Sequence, residues 1–269
     1  MAGFSYEFGF IGMGNMGLAM MKGLLGNYEP GKLTFSDKSR ERMEDVAART
    51  GVNFSSDNES CAKQSRCVIL AVKPQQLDRV IEGLRDAVSE EQIVISIAPG
   101  VSVADLREKF GRPLRIVRAM PNTPALVGEG MTGVTFDPAL FDEEETALIR
   151  GFFTSFGRVE LVEEKLIDAV VCVSGSSPAY VYMFIEALAD SAVKYGLPRA
   201  VACEMAAQAV LGSAKMVLET GKHPGELKDQ VCSPGGTTIA GVAALEEYGL
   251  RNAVIKASDA CYAKCSKIS

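Results

Sequence analysis

The chain has 269 residues, of which 47% are hydrophobic and 23% charged, a balance typical of a globular protein with one large or two modest domains. Its net charge of −6, with no dense run of Lys and Arg, argues against a nucleic-acid partner. We find no apolar stretch of about 18 residues and no basic segment before an apolar core, so we expect a cytoplasmic protein with no membrane partner.

A glycine-rich turn follows the first predicted strand. Gly12, Gly14 and Gly17 come after an apolar run ending at Ile11 and before a segment with helical spacing. In dinucleotide-binding proteins the first glycine permits the turn, the second lets pyrophosphate approach the backbone, and the third lets the helix pack closely. The alternative is an ordinary turn without a ligand, but the strand before the glycines and the helix after them favour a dinucleotide site.

The end of the second predicted strand gives opposing indications about the nicotinamide. Asp37 lies where a carboxylate hydrogen-bonds a ribose 2′-hydroxyl, which favours NADH. The hydroxyls and cations of Ser36, Lys38, Ser39 and Arg40 could instead hold a 2′-phosphate. Lys38 and Arg40 could also be solvated residues that open the next helix. We expect NADPH to be preferred, with measurable use of NADH.

Strand-like and helix-like segments alternate through residues 1–163. Predicted strands cover residues 32–36, 52–54, 67–72, 92–97, 114–119, 132–136 and 158–162. This alternation predicts an α/β domain with a doubly wound parallel sheet. Lys73-Pro74 and Asn122-Thr123-Pro124 follow two of these strands, at the edge where parallel sheets bind ligands, although turn and cap chemistry alone could explain both segments.

The predicted second domain, residues 164–269, contains helices only. Segments 166–173, 179–195 and 198–220 are apolar on nearly every side, with an interruption at 174–178. Such helices must be buried, and about a hundred residues offer little interior to bury them. We therefore expect the smallest folded unit to be a homodimer joined through this domain.

Acid–base and metal-binding residues are few. The seven cysteines predict reduced, mostly buried thiols; Cys261 and Cys265 are one helical turn apart, but no further ligands with suitable spacing follow, so we predict no metal site. The single histidine, His223, lies in a turn, where a surface or capping role is usual. This scarcity argues against Ser-His-Asp hydrolysis.

A second glycine turn precedes a late helix. Pro234, Gly235 and Gly236 stand between Ser233 and the pair Thr237 and Thr238. Backbone N–H groups at such a helix N-terminus can bind a small anion such as a carboxylate. A plain N-cap is the alternative, although it does not account for the glycines.

Five segments carry a family resemblance that covers essentially the whole chain: Phe10–Gly17, Ala71–Gln75, Arg118–Pro124, Ser174–Ala179 and, above all, His223–Ile239. In these segments the chain resembles pyrroline-5-carboxylate reductases, which catalyse the last step of proline synthesis. The resemblance implies a Rossmann domain followed by a helical domain that interlocks in dimers, and these dimers commonly assemble further into decamers. One departure is Ser177, where the family usually has glycine.

The resemblance also implies site residues. Cofactor contacts fall on Gly12, Met13, Gly14, Asn15, Met16, Ser36, Asn58, Ala71, Lys73, Pro74 and Ala98. Substrate contacts fall on Ser233, Gly235, Gly236, Thr237 and Thr238, and the Thr238 hydroxyl meets the ring nitrogen of pyrroline-5-carboxylate. Because a protonated cyclic imine is already electrophilic, hydride transfer from the nicotinamide needs positioning more than a strong base.

Two other functions are compatible with a glycine turn. A β-hydroxyacid dehydrogenase shares the two-domain layout but uses a helix lysine, and here none follows Ser174–Ala179 until Lys194. A non-catalytic nucleotide sensor would not need the second anion-binding turn at Pro234 to Thr238. Both alternatives are therefore disfavoured.

Overall fold

The computed structural model describes residues 3–265, and its first part is built on one eight-stranded sheet. The strands are β1 (Tyr6–Ile11), β2 (Leu33–Ser36), β3 (Asn53–Phe54), β4 (Ser65–Leu70), β5 (Ile93–Ser96), β6 (Arg115–Met120), β7 (Gly130–Thr135) and β8 (Gly157–Leu161). Their order is β3-β2-β1-β4-β5-β6-β7-β8. In chain order, β2 and β3 therefore add to one side of β1, and β4 to β8 add to its other side. The predicted Rossmann-type α/β fold is confirmed.

Helices cover the sheet and make up the later part of the chain. They are α1 (Asn15–Leu24), α2 (Arg40–Thr50), α3 (Asn58–Lys63), α4 (Pro74–Leu84), α5 (Val103–Phe110), α6 (Glu143–Thr154), α7 (Ile167–Val170), α8 (Ser177–Lys194), α9 (Arg199–Thr220), α10 (Pro224–Val231), α11 (Thr237–Glu247) and α12 (Leu250–Cys265). Short 3₁₀ turns lie at Pro30–Lys32, Thr123–Val127, Pro138–Leu140 and Glu164–Leu166. A π-helical segment, Val171–Gly175, links α7 toward α8. The interruption predicted at 174–178 corresponds to the end of this π-helical segment and a bend at Ser176, and α8 already begins at Ser177.

One strand departs from the predicted parallel sheet. Strand β7 runs antiparallel to β6, whereas the other strand pairs are parallel. The segment between Met120 and Gly130 contains only the 3₁₀ turn Thr123–Val127. A parallel partner needs a crossover of about a dozen or more residues, usually a helix. The short connection therefore forces the chain to reverse at β7.

Apolar side chains on both faces of the sheet form the core. In β4, Cys67 and Ile69 pack on one face with the aromatic cluster around Phe8 and Phe152. Val68 and Leu70 point to the opposite face, against residues of α4 and α5. Successive side chains of a strand alternate between faces, so an unbroken apolar run is the mark of a strand covered on both sides. This explains why the segment from Cys67 could be identified as a central strand.

The four central parallel strands end level with one another. Ile11 is paired with both Ser36 and Leu70, and Leu70 is paired with Ser96. The loops that follow β1, β2, β4 and β5 therefore leave the same edge. In an open parallel sheet this carboxyl edge, next to the point where the strand order reverses, is the ligand-binding edge.

The described chain divides into two compact units. The first contains the residues up to Ser176 and those from Cys261 onward, and the second contains residues 177–260. Within the second unit, α8 and α9 pack through Ala189, Ala202 and Ala206. No described residue of α10 or α11 is buried. The division predicted at residue 164 stays a prediction.

Large apolar side chains remain exposed on the long helices. Met183 on α8 is 68% exposed and Leu211 on α9 is 55% exposed. By length and hydropathy alone, two helical segments, Glu164–Lys194 and Arg199–Thr220, could cross a bilayer. The expectation that no stretch is long and apolar enough was wrong, because small residues such as alanine raise the hydropathy of both segments. Length and hydropathy are weak evidence for a span, since core and interface helices share them.

Candidate active site

The first glycine turn is closed toward the protein and open on one side. Gly12 has φ +95°, and a Cβ there would lie 2.9 Å from the Ala71 carbonyl oxygen. A Cβ on Gly17 would lie 2.6 Å from the Gly12 carbonyl oxygen. Around Gly14, by contrast, an added Cβ meets no described atom within 4 Å. Gly12 and Gly17 are therefore required by packing, whereas Gly14 borders open space.

Helix α1 begins at this open side. Gly14 is its N-cap, and no side chain of the described residues caps the helix there. The first N–H groups of α1, from Asn15 and Met16 onward, lie at the positive end of the helix dipole. Uncapped N–H groups beside an open glycine form a suitable site for the pyrophosphate of a dinucleotide.

Asp37 braces the turn instead of standing free at the end of β2. Its carboxylate accepts hydrogen bonds from the Met13 N–H at 2.8 Å and the Ser39 N–H at 3.0 Å. Arg42 adds a third tie, since its guanidinium donates to the Met13 carbonyl oxygen at 3.2 Å. A charged acceptor that holds two N–H groups fixes both backbone segments. The position of Asp37 in the sequence suggested a ribose contact as one possibility, and nothing in the sequence indicated this bracing contact.

Ser36 and Asn58 bind each other beneath the same edge. Ser36 is buried, and its hydroxyl donates to the Asn58 amide oxygen at 2.8 Å. Asn58 opens α3, which is capped by Asp57; hydrogen bonds from the Ser60 N–H and the Ser56 hydroxyl lower the pKa of Asp57. Burial raises the pKa of the Cys61 thiol to about 12, so this thiol stays neutral under the edge. Ser36 and Asn58, both predicted to contact the cofactor, are thus joined to each other by a hydrogen bond at this edge.

The basic residues after β2 point in different directions. Arg40 is exposed, donates to Glu44 at 2.7 Å and lies over the Phe54 ring at 4.6 Å. Lys38 is exposed as well. Arg42 instead reaches the glycine turn, because residues two apart on a helix project about 200° apart. A groove beside the turn is lined by Met13, Gly14, Asn15, Leu18, Ser39 and Arg42, among others.

The remaining predicted cofactor residues lie at the same edge. The Ala71 N–H donates to the Ile11 carbonyl oxygen at 2.9 Å, which ties the loop after β4 to the end of β1. Lys73 is the exposed N-cap of α4, and Pro74 occupies its first turn as predicted. Ala98 is buried just beyond β5. The sheet register therefore brings the loops that follow β1, β2, β4 and β5, which carry most of the predicted cofactor residues, to one edge.

The second glycine turn lies in the second unit, at the start of α11. The Gly236 N–H donates to the Ser233 carbonyl oxygen at 3.0 Å, and Gly235 has φ +69°. Proline followed by a glycine with positive φ is typical of a type II turn. Gly236 is the N-cap, and no described side chain caps the helix. Thr237 and Thr238 are exposed, so their hydroxyls and backbone N–H groups are accessible to a small anion.

Two further motif segments have structural roles. Asn122 is buried; its amide donates to the Ser174 carbonyl oxygen at 3.0 Å and accepts from the Met131 N–H at 2.8 Å. This supports turn chemistry for the segment after β6. His223 accepts a hydrogen bond from the Gly225 N–H at 3.1 Å and caps α10, which confirms the predicted capping role.

Comparisons with known proteins agree along the whole chain. The family model described as pyrroline-5-carboxylate reductase dimerisation matches residues 164–268, and the model described as NADP oxidoreductase coenzyme F420-dependent matches residues 7–100. Pyrroline-5-carboxylate reductase of Escherichia coli is 48% identical over 265 residues, covering 98% of each chain.

Solved structures give the same result. A pyrroline-5-carboxylate reductase from Coxiella burnetii superposes with a TM-score of 0.91 at 36% identity, covering 98% of this chain and 99% of that one. Plasmodium falciparum pyrroline carboxylate reductase, solved with NADP bound, has a TM-score of 0.87 at 32% identity and covers 99% of both chains. Since sequence and fold agree from one end to the other, this chain belongs to the pyrroline-5-carboxylate reductase family.

Proposed function

We propose that this chain reduces 1-pyrroline-5-carboxylate to L-proline with NADPH, the final step of proline biosynthesis. The observation that carries the proposal is a pair of uncapped helix N-termini, each preceded by glycine, within a chain that belongs to this family over its full length. One has room for a pyrophosphate and the other for a carboxylate. The alternative dehydrogenase chemistry lacks its lysine, since Lys194 lies only at the end of α8.

The glycine turn and the loops at its sheet edge would hold the cofactor. Backbone N–H groups of Asn15 and Met16 would bind the pyrophosphate. Ser39 and Arg42, which line the adjoining groove, add a hydroxyl and a guanidinium to the predicted set of Ser36, Lys38, Arg40 and Asn58. A relative binds NADP. We infer that NADPH is the main cofactor of this chain and that NADH is used less well.

The second glycine turn would hold the substrate. Backbone N–H groups of Thr237 and Thr238, with the Ser233 hydroxyl, would bind the carboxylate of pyrroline-5-carboxylate. The Thr238 hydroxyl would accept a hydrogen bond from the N–H of the protonated imine and so orient the ring. NADPH, when bound, would supply a hydride to the imine carbon, and the electron pair of the C=N bond would pass to nitrogen. The protonated imine thereby becomes the amine of proline, and no protein group has to give or take a proton in that step.

The activity test is consumption of NADPH by purified protein with and without pyrroline-5-carboxylate. We expect oxidation only when the imine is present, with one proline formed for each NADPH consumed. Turnover of β-hydroxyacids instead would support the dehydrogenase alternative. Cofactor binding without turnover of any of these substrates would support a nucleotide sensor.

Oligomerisation belongs to the same proposal. Residues 164–268 match a dimerisation domain, and α8 and α9 expose large apolar side chains such as Met183 and Leu211. We propose that a second copy covers these helices, so that the smallest folded unit is a homodimer, which can assemble further into a decamer. Light scattering should show no folded monomer on dilution. A stable, fully folded monomer would contradict the proposal.

The reduced state of the cysteines bears on the cellular compartment. All seven cysteines lie in described residues, and none forms a disulfide. Chains with many reduced thiols are typical of reducing compartments. We therefore propose a cytoplasmic enzyme. The net charge of −6, without a dense run of Lys and Arg, supports the further proposal that it has no nucleic-acid partner.

A further inference from the structure

Three cysteines that are distant in sequence meet in the first unit. The sulfur atoms of Cys172, Cys261 and Cys265 all lie within 4.8 Å of one another. Cys172 is buried, and the other two are half-buried. From the sequence, Cys261 and Cys265 lie one helical turn apart with no further ligand at a suitable spacing, so no metal site was predicted. The third thiol instead comes from a segment about ninety residues earlier, which no spacing rule could have identified.

Two helical segments hold the sulfurs on one side. Cys261 and Cys265 are four residues apart on α12 and therefore project from the same face. Cys172 lies in the π-helical segment Val171–Gly175, and its thiol donates to the Asp168 carbonyl oxygen at 3.2 Å. The Ser176 hydroxyl lies 3.2 Å from the Cys261 sulfur. Short π-helical segments are rare and often occur at functional sites.

We propose that Cys172, Cys261 and Cys265 form a three-thiolate site for a divalent thiophilic cation such as Zn²⁺. Thiolates are soft ligands that select such metals over Mg²⁺ and Ca²⁺. A tetrahedral zinc site with bonds of about 2.3 Å separates its sulfurs by about 3.8 Å. Each sulfur pair in the cluster therefore has to close by no more than about 1 Å. Rotation about the Cα–Cβ bonds is enough for that movement.

Charge favours a divalent ion over a monovalent one. Three thiolates around Zn²⁺ leave one net negative charge, whereas three around Cu⁺ leave two. Since burial makes uncompensated charge costly, the site fits the ion that neutralises more of it. Three protein ligands leave the fourth position of the zinc for water or another small ligand.

The test is metal titration of the full-length protein, kept reduced with a phosphine and first freed of metal by a chelator. Cd²⁺ is added as the spectroscopic probe, and thiolate-to-metal charge-transfer absorption is recorded. Zn²⁺ is measured separately by competition with a chromophoric chelator. We expect one equivalent per chain and a rise in Tm of at least about 3 °C with Zn²⁺. After the phosphine has been removed by gel filtration under argon, bound Zn²⁺ should protect the cluster thiols from a disulfide reagent.

Single variants assign the ligands. Cys172→Ser, Cys261→Ser and Cys265→Ser should each lower the affinity for Zn²⁺ at least about tenfold, in line with loss of a ligand. Cys203→Ser, which removes an exposed thiol of α9, is the matched control and should bind like the wild type. If Cys172→Ser fails to fold, the two α12 variants decide the result. Fewer than one equivalent in the wild type, or binding that survives in the α12 variants, would overturn the proposal.

Discussion

Substitution of Asp37 by alanine separates two roles for the carboxylate at the end of β2. The carboxylate holds the Met13 and Ser39 N–H groups at 2.8 and 3.0 Å, both in part-buried positions. If bracing is its main role, its loss should loosen the glycine turn and weaken both nicotinamides alike. If the Asp37 carboxylate instead hydrogen-bonds the ribose 2′-hydroxyl, the substitution should favour NADPH, because it removes a charge that repels the 2′-phosphate.

The size of the effect follows from the two hydrogen bonds. Each hydrogen bond to a charged group contributes about 1.5–3 kcal/mol, so we expect Asp37→Ala to lower the free energy of unfolding by about 3 kcal/mol. A less ordered turn should raise Kd for NADPH and NADH about tenfold each, which corresponds to about 1.4 kcal/mol. The ratio of the two Kd values should therefore change less than about threefold.

The assays are urea unfolding of the metal- and cofactor-free protein, together with titration of each cofactor followed by fluorescence. Asp86→Asn is a matched control, because it removes one negative charge from a fully exposed side chain that pairs with Arg112 and does not line the groove beside the glycine turn. It should leave stability and both affinities near wild type. Unchanged stability in Asp37→Ala, combined with a shift toward NADPH of more than about tenfold, would refute the bracing role.

Three other predictions concern the two glycine turns. Thr238→Ala should lower kcat/KM about 5- to 150-fold, the loss of one hydrogen bond of about 1–3 kcal/mol in the transition state, while the Kd for NADPH measured by titration stays unchanged; wild-type kcat/KM would disprove its role. Arg42→Ala should reduce kcat/KM with NADPH more than with NADH. Arg40→Ala removes the cation that the sequence suggested for the 2′-phosphate, and steady-state kinetics of both variants with both cofactors will show which of the two arginines discriminates. Gly14→Ser should fold normally, because an added Cβ there has open space, but it should bind NADPH poorly in a titration. Gly17→Ala should fail to fold, because its Cβ would lie 2.6 Å from a carbonyl oxygen. Circular dichroism measures the folding of both variants.

The strands of the sheet could be predicted from the sequence because the local apolar pattern of each segment agrees with its place in the fold. The unbroken apolar run at β4 and the glycine spacing after β1 each depend on nearest neighbours along the chain. The reversal at β7 was missed because direction depends on the length of the connection after Met120, which strand periodicity does not report.

Side-chain direction at the site was harder to predict. Arg40 and Arg42 are equally basic, and only the phase of α2 decides which one faces the glycine turn. Asp37 has the expected position, but its partners depend on the path of the backbone around Met13. The Cys172 contact depends on packing between segments far apart in sequence. In each case the deciding information is three-dimensional.

The two ligand turns differ from four other helix starts of this chain in having glycine as the N-cap. Four helices of the first unit begin with side chains that accept hydrogen bonds from the first turn: Ser39, Asp57, Ser102 and Asp142. At α1 and α11 the same position is glycine, and no described side chain takes over the cap. Glycine in place of such a cap costs only a few tenths of a kcal/mol. The N–H groups of both helices therefore stay available to anions at a small cost in stability. This fits a reaction in which one reactant carries a pyrophosphate and the other a carboxylate. It also fits a reaction that needs little acid–base catalysis from side chains.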